Sequence, residues 1–137
     1  MPKRVLRGDG FSIELEQHRG YLRAYVFDGT DSEAVSIAYH RLLGEECARL
    51  DVDRLLIVED LADAAPIENV EAVVRAAVEA GFGRIRTAFV EMQGGHGVNA
   101  QSELTSFMHE ITVMVFVNEQ QARNWLLYGD ESDKDSA

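Results

Sequence analysis

Two kinds of hydrophobic pattern alternate along the chain and predict an order of strands and helices. Residues 55–58 are four apolar residues in a row, as in a strand that is buried on both faces. Phe11–Glu16 instead alternates apolar and polar side chains, which is typical of a strand with one exposed face. The more apolar Tyr21–Phe27 follows after a turn and predicts the second strand of an antiparallel hairpin. Two further interior strands are expected at Ile85–Glu91 and Val113–Val117.

Apolar residues at helical spacing predict helices between and after these strands. Four helices are predicted, each with its own start or stop signal: a helix from the capping box Thr30–Glu33 to about Leu50, one from near Pro66 to Gly81, one capped by Asn99, and one capped by Asn118 that ends at Gly129. The predicted order is therefore β-β-α-β-α-β-α-β-α.

This order predicts an α/β fold with a single, mostly parallel five-stranded sheet, one antiparallel edge strand and helices on both faces. One domain is expected over residues 11–128. Residues 1–10 are interpreted as a flexible leader, although Val5 and Leu6 leave a short edge strand open. Residues 129–137 are interpreted as a disordered acidic tail.

The charge and composition of the chain argue against several classes of function. With 24 acidic and 13 basic residues the net charge is −11, so the phosphates of a nucleic acid would be repelled. Lys3 and Lys134 are the only lysines and lie in the predicted leader and tail, which leaves no lysine for a P-loop or a Schiff base. No apolar run reaches the roughly 20 residues of a membrane span, and residues 1–10 lack the apolar core of a signal peptide. We expect a cytoplasmic protein.

No motif for catalysis or metal binding is found in the sequence. Cys47 is the one cysteine, and its helical context with Leu43 and Leu50 predicts a core residue. The four histidines are not paired with other ligands at metal-binding spacing, and no GxSxG nucleophile motif occurs. We therefore predict no catalytic residue, no metal and no cofactor.

The turns that follow two interior strands are the predicted ligand- or partner-binding places, because ligands of parallel sheets bind beyond the carboxyl ends of the strands. Asp60 and Asp63 lie in the first of these turns. The second turn is rich in glycine and leads into a predicted helix; its candidate residues are Gly94, Gly95, His96, Gly97 and Asn99. Flexible glycines and helix amides can hold an anion, and a glycine turn without a ligand is the alternative.

The element order, the length and the closing segment VFVNEQQARNWLL resemble the SpoIIAA-like branch of the STAS domains, over roughly Phe11–Tyr128. The resemblance implies a non-enzymatic domain that binds a protein partner or a small hydrophobic ligand. In the signalling antagonists of that family a serine or threonine at the start of the second helix is phosphorylated. The matching stretch, Asp60–Asn69, contains neither, and none occurs from Ile37 through Arg86. Asp63 or Glu68 would place a fixed negative charge there, or would simply favour the helix N-terminus.

Two other classes of function remain open. The first is a small enzyme in which His96 acts with Glu91 or Asp60 as acid and base. The second is a structural self-association module, a homodimer in which Phe11–Glu16 pairs with its copy as an exposed edge strand.

Overall fold

A computed structural model describes residues 3–63, 70–92 and 111–136, with the backbone alone described at 31, 63, 70 and 130–136. The strands are β1 (Lys3–Gly8), β2 (Phe11–His18), β3 (Tyr21–Phe27), β4 (Thr30–Asp31), β5 (Arg54–Glu59), β6 (Ala62–Asp63), β7 (Arg86–Glu91) and β8 (Thr112–Phe116). The helices are α1 (Glu33–Leu50), α2 (Val70–Glu79) and α3 (Glu119–Ser136), with a 3₁₀ turn at Phe82–Arg84.

Six of the strands form one mixed sheet in the order β1-β2-β3-β5-β7-β8. The first two pairings, β1 with β2 and β2 with β3, are antiparallel. The remaining three pairings are parallel, and β5 lies between β3 and β7. The α/β class and the mostly parallel sheet with an antiparallel edge are confirmed, whereas the predicted count of five strands is wrong.

The extra strand is β1, which the sequence left open as a short edge strand at Val5 and Leu6. Its register on β2 runs without interruption from Lys3 opposite Glu16 to Gly8 opposite Phe11. Leu6 packs against the main hydrophobic core and Lys3 contacts two glutamates of β2. Two apolar residues are too few to produce a periodic signal, so the pattern could not distinguish this strand from a leader.

The central strand β5 is buried on both faces, as its unbroken apolar run predicts. Leu55 and Ile57 belong to the core under α1 and α2. Leu56 and Val58 belong to a second core, which Ala122 and Leu126 of α3 close from the opposite face. Helices therefore lie on both faces of the sheet, as predicted.

The start of α1 differs from its predicted capping box. The N-cap is Ser32, whose Oγ accepts a hydrogen bond from the Val35 amide at 3.1 Å. Thr30 and Asp31 instead form β4, which pairs in parallel with β6. Thr30 is thus held as a strand residue by tertiary pairing, and the capping role passes to the next hydroxyl along the chain.

The two helices on the main core approach each other closely at one glycine of α1. A Cβ added to Gly44 would lie 2.4 Å from the carbonyl oxygen of Ala80, just beyond α2. Gly81 follows with φ +100°, a left-handed conformation that suits glycine and confirms the predicted stop of this helix.

At the other end of the chain, α3 begins as predicted and ends later than predicted. The side chain of Asn118 accepts a hydrogen bond from the Gln121 amide at 2.8 Å, as an N-cap does. The predicted end at Gly129 is wrong, because the helix continues to Ser136. A Cβ at Gly129 would meet Trp125 and the guanidinium of Arg86, so this glycine permits close packing.

Candidate functional site

The carboxyl ends of β3, β5 and β7 come together at one edge of the sheet. The strand register places Val26 beside Glu59, and Glu59 beside Glu91. Backbone hydrogen bonds continue beyond the strands, from the Asp60 amide to Val26 O and from the Met92 amide to Glu59 O. This edge is where an α/β sheet ordinarily binds its ligands.

A buried tyrosine–glutamate pair lies on the α1 side of this edge. The hydroxyl of Tyr39 donates to Glu59 Oε2 at 2.5 Å, and the two residues are 1% and 4% exposed. Glu59 is the last residue of β5, and Tyr39 reaches it from the second turn of α1. Because a buried carboxyl group is costly unless it is hydrogen-bonded, this contact stabilises the end of β5.

A second tyrosine–carboxylate pair lies on the opposite face of the sheet. The hydroxyl of Tyr25 donates to Asp60 Oδ2 at 2.5 Å. This hydrogen bond raises the pKa of Tyr25 above its ordinary value, and burial adds to the shift. The ring of Tyr25 stacks on Phe27, with ring centroids 5.2 Å apart. Asp60, a predicted site residue, is thus at the expected edge and is already bound by a neighbouring hydroxyl.

An open cleft of about 620 Å³ lies at the carboxyl end of β3, between the β1–β2 turn and the segment that joins β3 to α1. Gly8, Gly10 and Gly29 leave backbone exposed on its walls. A Cβ at Gly29 would lie 2.0 Å from the carbonyl oxygen of Gly10, so glycine is required where the two loops meet. The Ala62 amide donates to Gly29 O at 3.0 Å, which joins the loop after β5 to the same assembly.

The lining of the cleft combines polar and apolar surface in similar amounts. Arg7 and Asp28 supply one charge of each sign, and Ser12, Thr30 and Ser32 supply hydroxyl groups. Two apolar residues, Phe11 and Val35, complete the lining. Such a surface suits a ligand or a partner side chain that forms hydrogen bonds.

Burial keeps two side chains of chemically reactive types, a cysteine and a histidine, in their uncharged forms. Burial raises the pKa of the Cys47 thiol to about 12, which keeps it protonated at neutral pH. Burial lowers the pKa of His40 to about 4, although its Nδ1 donates to Ser36 O at 2.7 Å. His40 is therefore neutral at pH 7 and packs between Tyr39 and Phe82.

Of the other predicted site residues, the structure describes only Asp63. Asp63 lies in β6, where its backbone pairs with Asp31. The glycine-rich turn and its neighbour, Gly94, Gly95, His96, Gly97 and Asn99, lie outside the described residues. Tyr39 and the β1–β2 turn were not predicted as site residues, because only the fold brings them to this edge.

Within the described ranges, no group of three or more His, Cys, Asp or Glu side chains is arranged to hold a metal ion. None of the helices in that part of the chain has the length and apolar character needed to cross a bilayer. In comparisons with known proteins, no family model, no curated protein and no solved structure matches this chain.

Proposed function

We propose that this chain is a non-enzymatic binding domain of the SpoIIAA-like STAS type that works without the family's phosphorylation switch. Parallel strands in chain order with intervening helices support this proposal, as does the absence of serine and threonine from Ile37 through Arg86. The observation that carries it is the open, glycine-walled cleft beside the carboxyl end of β3.

The chemistry of the edge favours binding over turnover. Each tyrosine hydroxyl is hydrogen-bonded to its own carboxylate, Tyr39 to Glu59 and Tyr25 to Asp60. Burial keeps the side chains of Cys47 and His40 uncharged. The cleft presents hydroxyls, backbone, one charge of each sign and the apolar Phe11 and Val35, so we expect a small molecule or a partner side chain that both forms hydrogen bonds and makes apolar contacts. The apolar ligand predicted from the resemblance stays a prediction, as does the enzyme built on His96.

Native mass spectrometry of the full chain, purified without added ligand, tests this proposal. We expect an additional mass in the native spectrum that is lost on denaturation. Thr30→Trp should abolish it, because Thr30 is exposed on the cleft and an indole would fill the space. Asn124→Trp, at an exposed position of α3, is the matched control and should retain the mass.

Two results would contradict the proposal. One is a wild-type protein that carries no additional mass, neither a small molecule nor a partner chain. The other is a Thr30→Trp protein that carries the same mass as the wild type. The melting temperatures of both variants, measured in parallel, establish that neither substitution acts by unfolding the protein.

A further inference from the structure

The outer edge of β1 is an unpaired strand edge. β1 pairs with β2 on one side, and no other strand in residues 3–63, 70–92 and 111–136 pairs with it. Its six residues contain no proline, and the register on β2 has no bulge. The backbone groups along this edge are therefore regularly spaced donors and acceptors that can pair with another strand.

The side chains of β1 have a different charge from the rest of the chain. Lys3, Arg4 and Arg7 are basic and no residue of β1 is acidic, whereas the whole chain has a net charge of −11. Val5 is 49% exposed in the middle of the strand. The edge therefore combines an apolar centre with basic residues on both sides of it.

Arg7 is the basic residue of β1 that its own chain does not neutralise. Lys3 contacts Glu14 and Glu16 at 3.6 and 3.5 Å, and Arg4 contacts Glu46. Arg7 forms no ion pair within the described part of the chain. Its guanidinium is exposed and can accept a carboxylate from another molecule.

A second copy of the chain fits this edge poorly in the register that places Val5 opposite itself. Opposite residues of two symmetric strands lie on the same face of the sheet, so in this antiparallel pairing Lys3 of each copy would face Arg7 of the other. Like charges directly opposite each other destabilise a strand pair. Phe11–Glu16, the strand predicted to pair across a homodimer, is flanked by β1 and β3, so that route to self-association is wrong.

We propose that β1 receives an extended acidic segment of a partner protein as a seventh strand of the sheet. In an antiparallel arrangement, residues opposite Arg4 and Arg7 are three positions apart, and the two between them lie opposite Val5 and Leu6. The complementary segment therefore reads acidic–apolar–apolar–acidic. Main-chain hydrogen bonds supply affinity, and the charge pair at Arg7 supplies most of the selectivity, because Arg4 already contacts Glu46. This inference uses the strand edge rather than the cleft, although the two share Arg7, which also lines the cleft.

The test is a titration of the full chain into fluorescein-labelled peptides, followed by anisotropy at about 0.15 M salt, which screens the long-range repulsion between an acidic peptide and a chain of net charge −11. The acidic probe is a peptide of about ten residues with Glu-Val-Ile-Glu at its centre, and its control carries lysine in place of both glutamates. A third peptide has the acidic sequence with alternate amides N-methylated, so that it cannot pair as a strand. We expect the acidic probe to bind at least about tenfold more tightly than either control.

Variants of the protein identify the surface. Arg7→Glu should weaken the acidic probe by about tenfold and strengthen the lysine peptide, and it disrupts no ion pair of the described chain. The double variant Arg4→Glu/Arg7→Glu should invert the preference. Arg123→Glu, at an exposed position of α3, is the matched control and should bind like the wild type.

Three outcomes would overturn the inference: equal binding of the acidic and lysine peptides, unchanged binding of the N-methylated peptide, or no response to Arg7→Glu. Sedimentation that shows a dimer lost on Arg7→Glu would also overturn it, in favour of self-association. Thr30→Trp separates the two proposals, because it fills the cleft and should leave binding of the acidic probe unchanged.

Discussion

β5 and β1 belong to the same sheet but differ in their exposure to solvent: β5 is buried and β1 is mostly exposed. Leu55, Leu56, Ile57 and Val58 are at most 1% exposed, because α1 and α2 cover one face of β5 and α3 covers the other. In β1, by contrast, Leu6 packs on the core while Val5 and the basic side chains meet solvent. The centre of the sheet thus supplies stability, and its edge leaves backbone and charge available for recognition.

The largest expected effect comes from truncating β5. Leu56→Ala and Ile57→Ala, on opposite faces, should each lower the free energy of unfolding by about 2–5 kcal/mol, because both lose contacts and leave a cavity. Val5→Ala in β1 should change it by less than about 0.5 kcal/mol. Urea denaturation measures all three. A mild effect of Leu56→Ala alone would show that α3 does not cover β5 as described.

The next largest effect is expected where α1 approaches the end of α2. Gly44→Ala should destabilise the protein by about 1–3 kcal/mol, since its Cβ would overlap the Ala80 carbonyl. Gly83→Ala is the matched control, because a Cβ there meets no atom within 4 Å. Thermal unfolding of both variants is the measurement. Equal melting temperatures would contradict the close approach of α1 and α2.

The two tyrosine–carboxylate pairs allow a buried and a partly exposed hydrogen bond to be compared, because replacing tyrosine with phenylalanine removes only the hydroxyl oxygen. Tyr39→Phe should cost about 1.5–3 kcal/mol, because it removes a hydrogen bond to the buried carboxyl group of Glu59. Tyr25→Phe should cost less than about 1 kcal/mol, because water can replace its hydroxyl beside Asp60. Chemical denaturation of both variants gives the difference. A larger loss for Tyr25→Phe would show that its hydrogen bond to Asp60, and not that of Tyr39 to Glu59, is the one shielded from water.

The smallest expected effect is a dependence of stability on acid pH. The hydrogen bond from Arg23 lowers the pKa of Glu119 below its ordinary value of 4.5, through an ion pair at 2.8 Å that joins β3 to α3. The contribution of this ion pair to the free energy of unfolding is therefore fully present above pH 4.5, and it is lost as the pH falls through the lower pKa that Glu119 has in the folded state. Both partners are partly exposed, so it should not exceed about 1 kcal/mol.

Glu119→Gln should remove this part of the acid dependence and leave stability near neutral pH lower by the same amount. Urea denaturation across the acid range measures it. An unchanged pH profile in Glu119→Gln would show that the ion pair with Arg23 does not contribute to folding.

Much of the fold could be predicted because its signals are local. The apolar run of β5, the hairpin of β2 and β3, and the Asn118 cap each depend on neighbouring residues, and the structure has all three. β1 could not be predicted firmly, because its place is fixed by pairing with β2 and by ion pairs to residues as distant as Glu46. Gly129 misled the prediction because packing against Trp125 looks the same in sequence as a helix stop.

Less of the candidate site could be predicted. Asp60 was identified because it follows a buried strand, but its partner Tyr25 lies 35 positions earlier. The cleft combines residues of the β1–β2 turn with those between β3 and α1, and no spacing pattern connects them. The capping box was assigned to Thr30 because a sequence pattern cannot show that the pairing of β4 with β6 takes precedence.

The strand order of the sheet has a consequence for how the chain acquires its fold. From β1 to β8, each strand of the large sheet pairs with the member that precedes it along the chain. Because neighbouring strands of the described sheet are also consecutive along the chain, the loops that must close to pair them are short on average. During synthesis, each newly emerged strand finds its neighbour already available, and the sheet can grow one strand at a time from the amino-terminal edge.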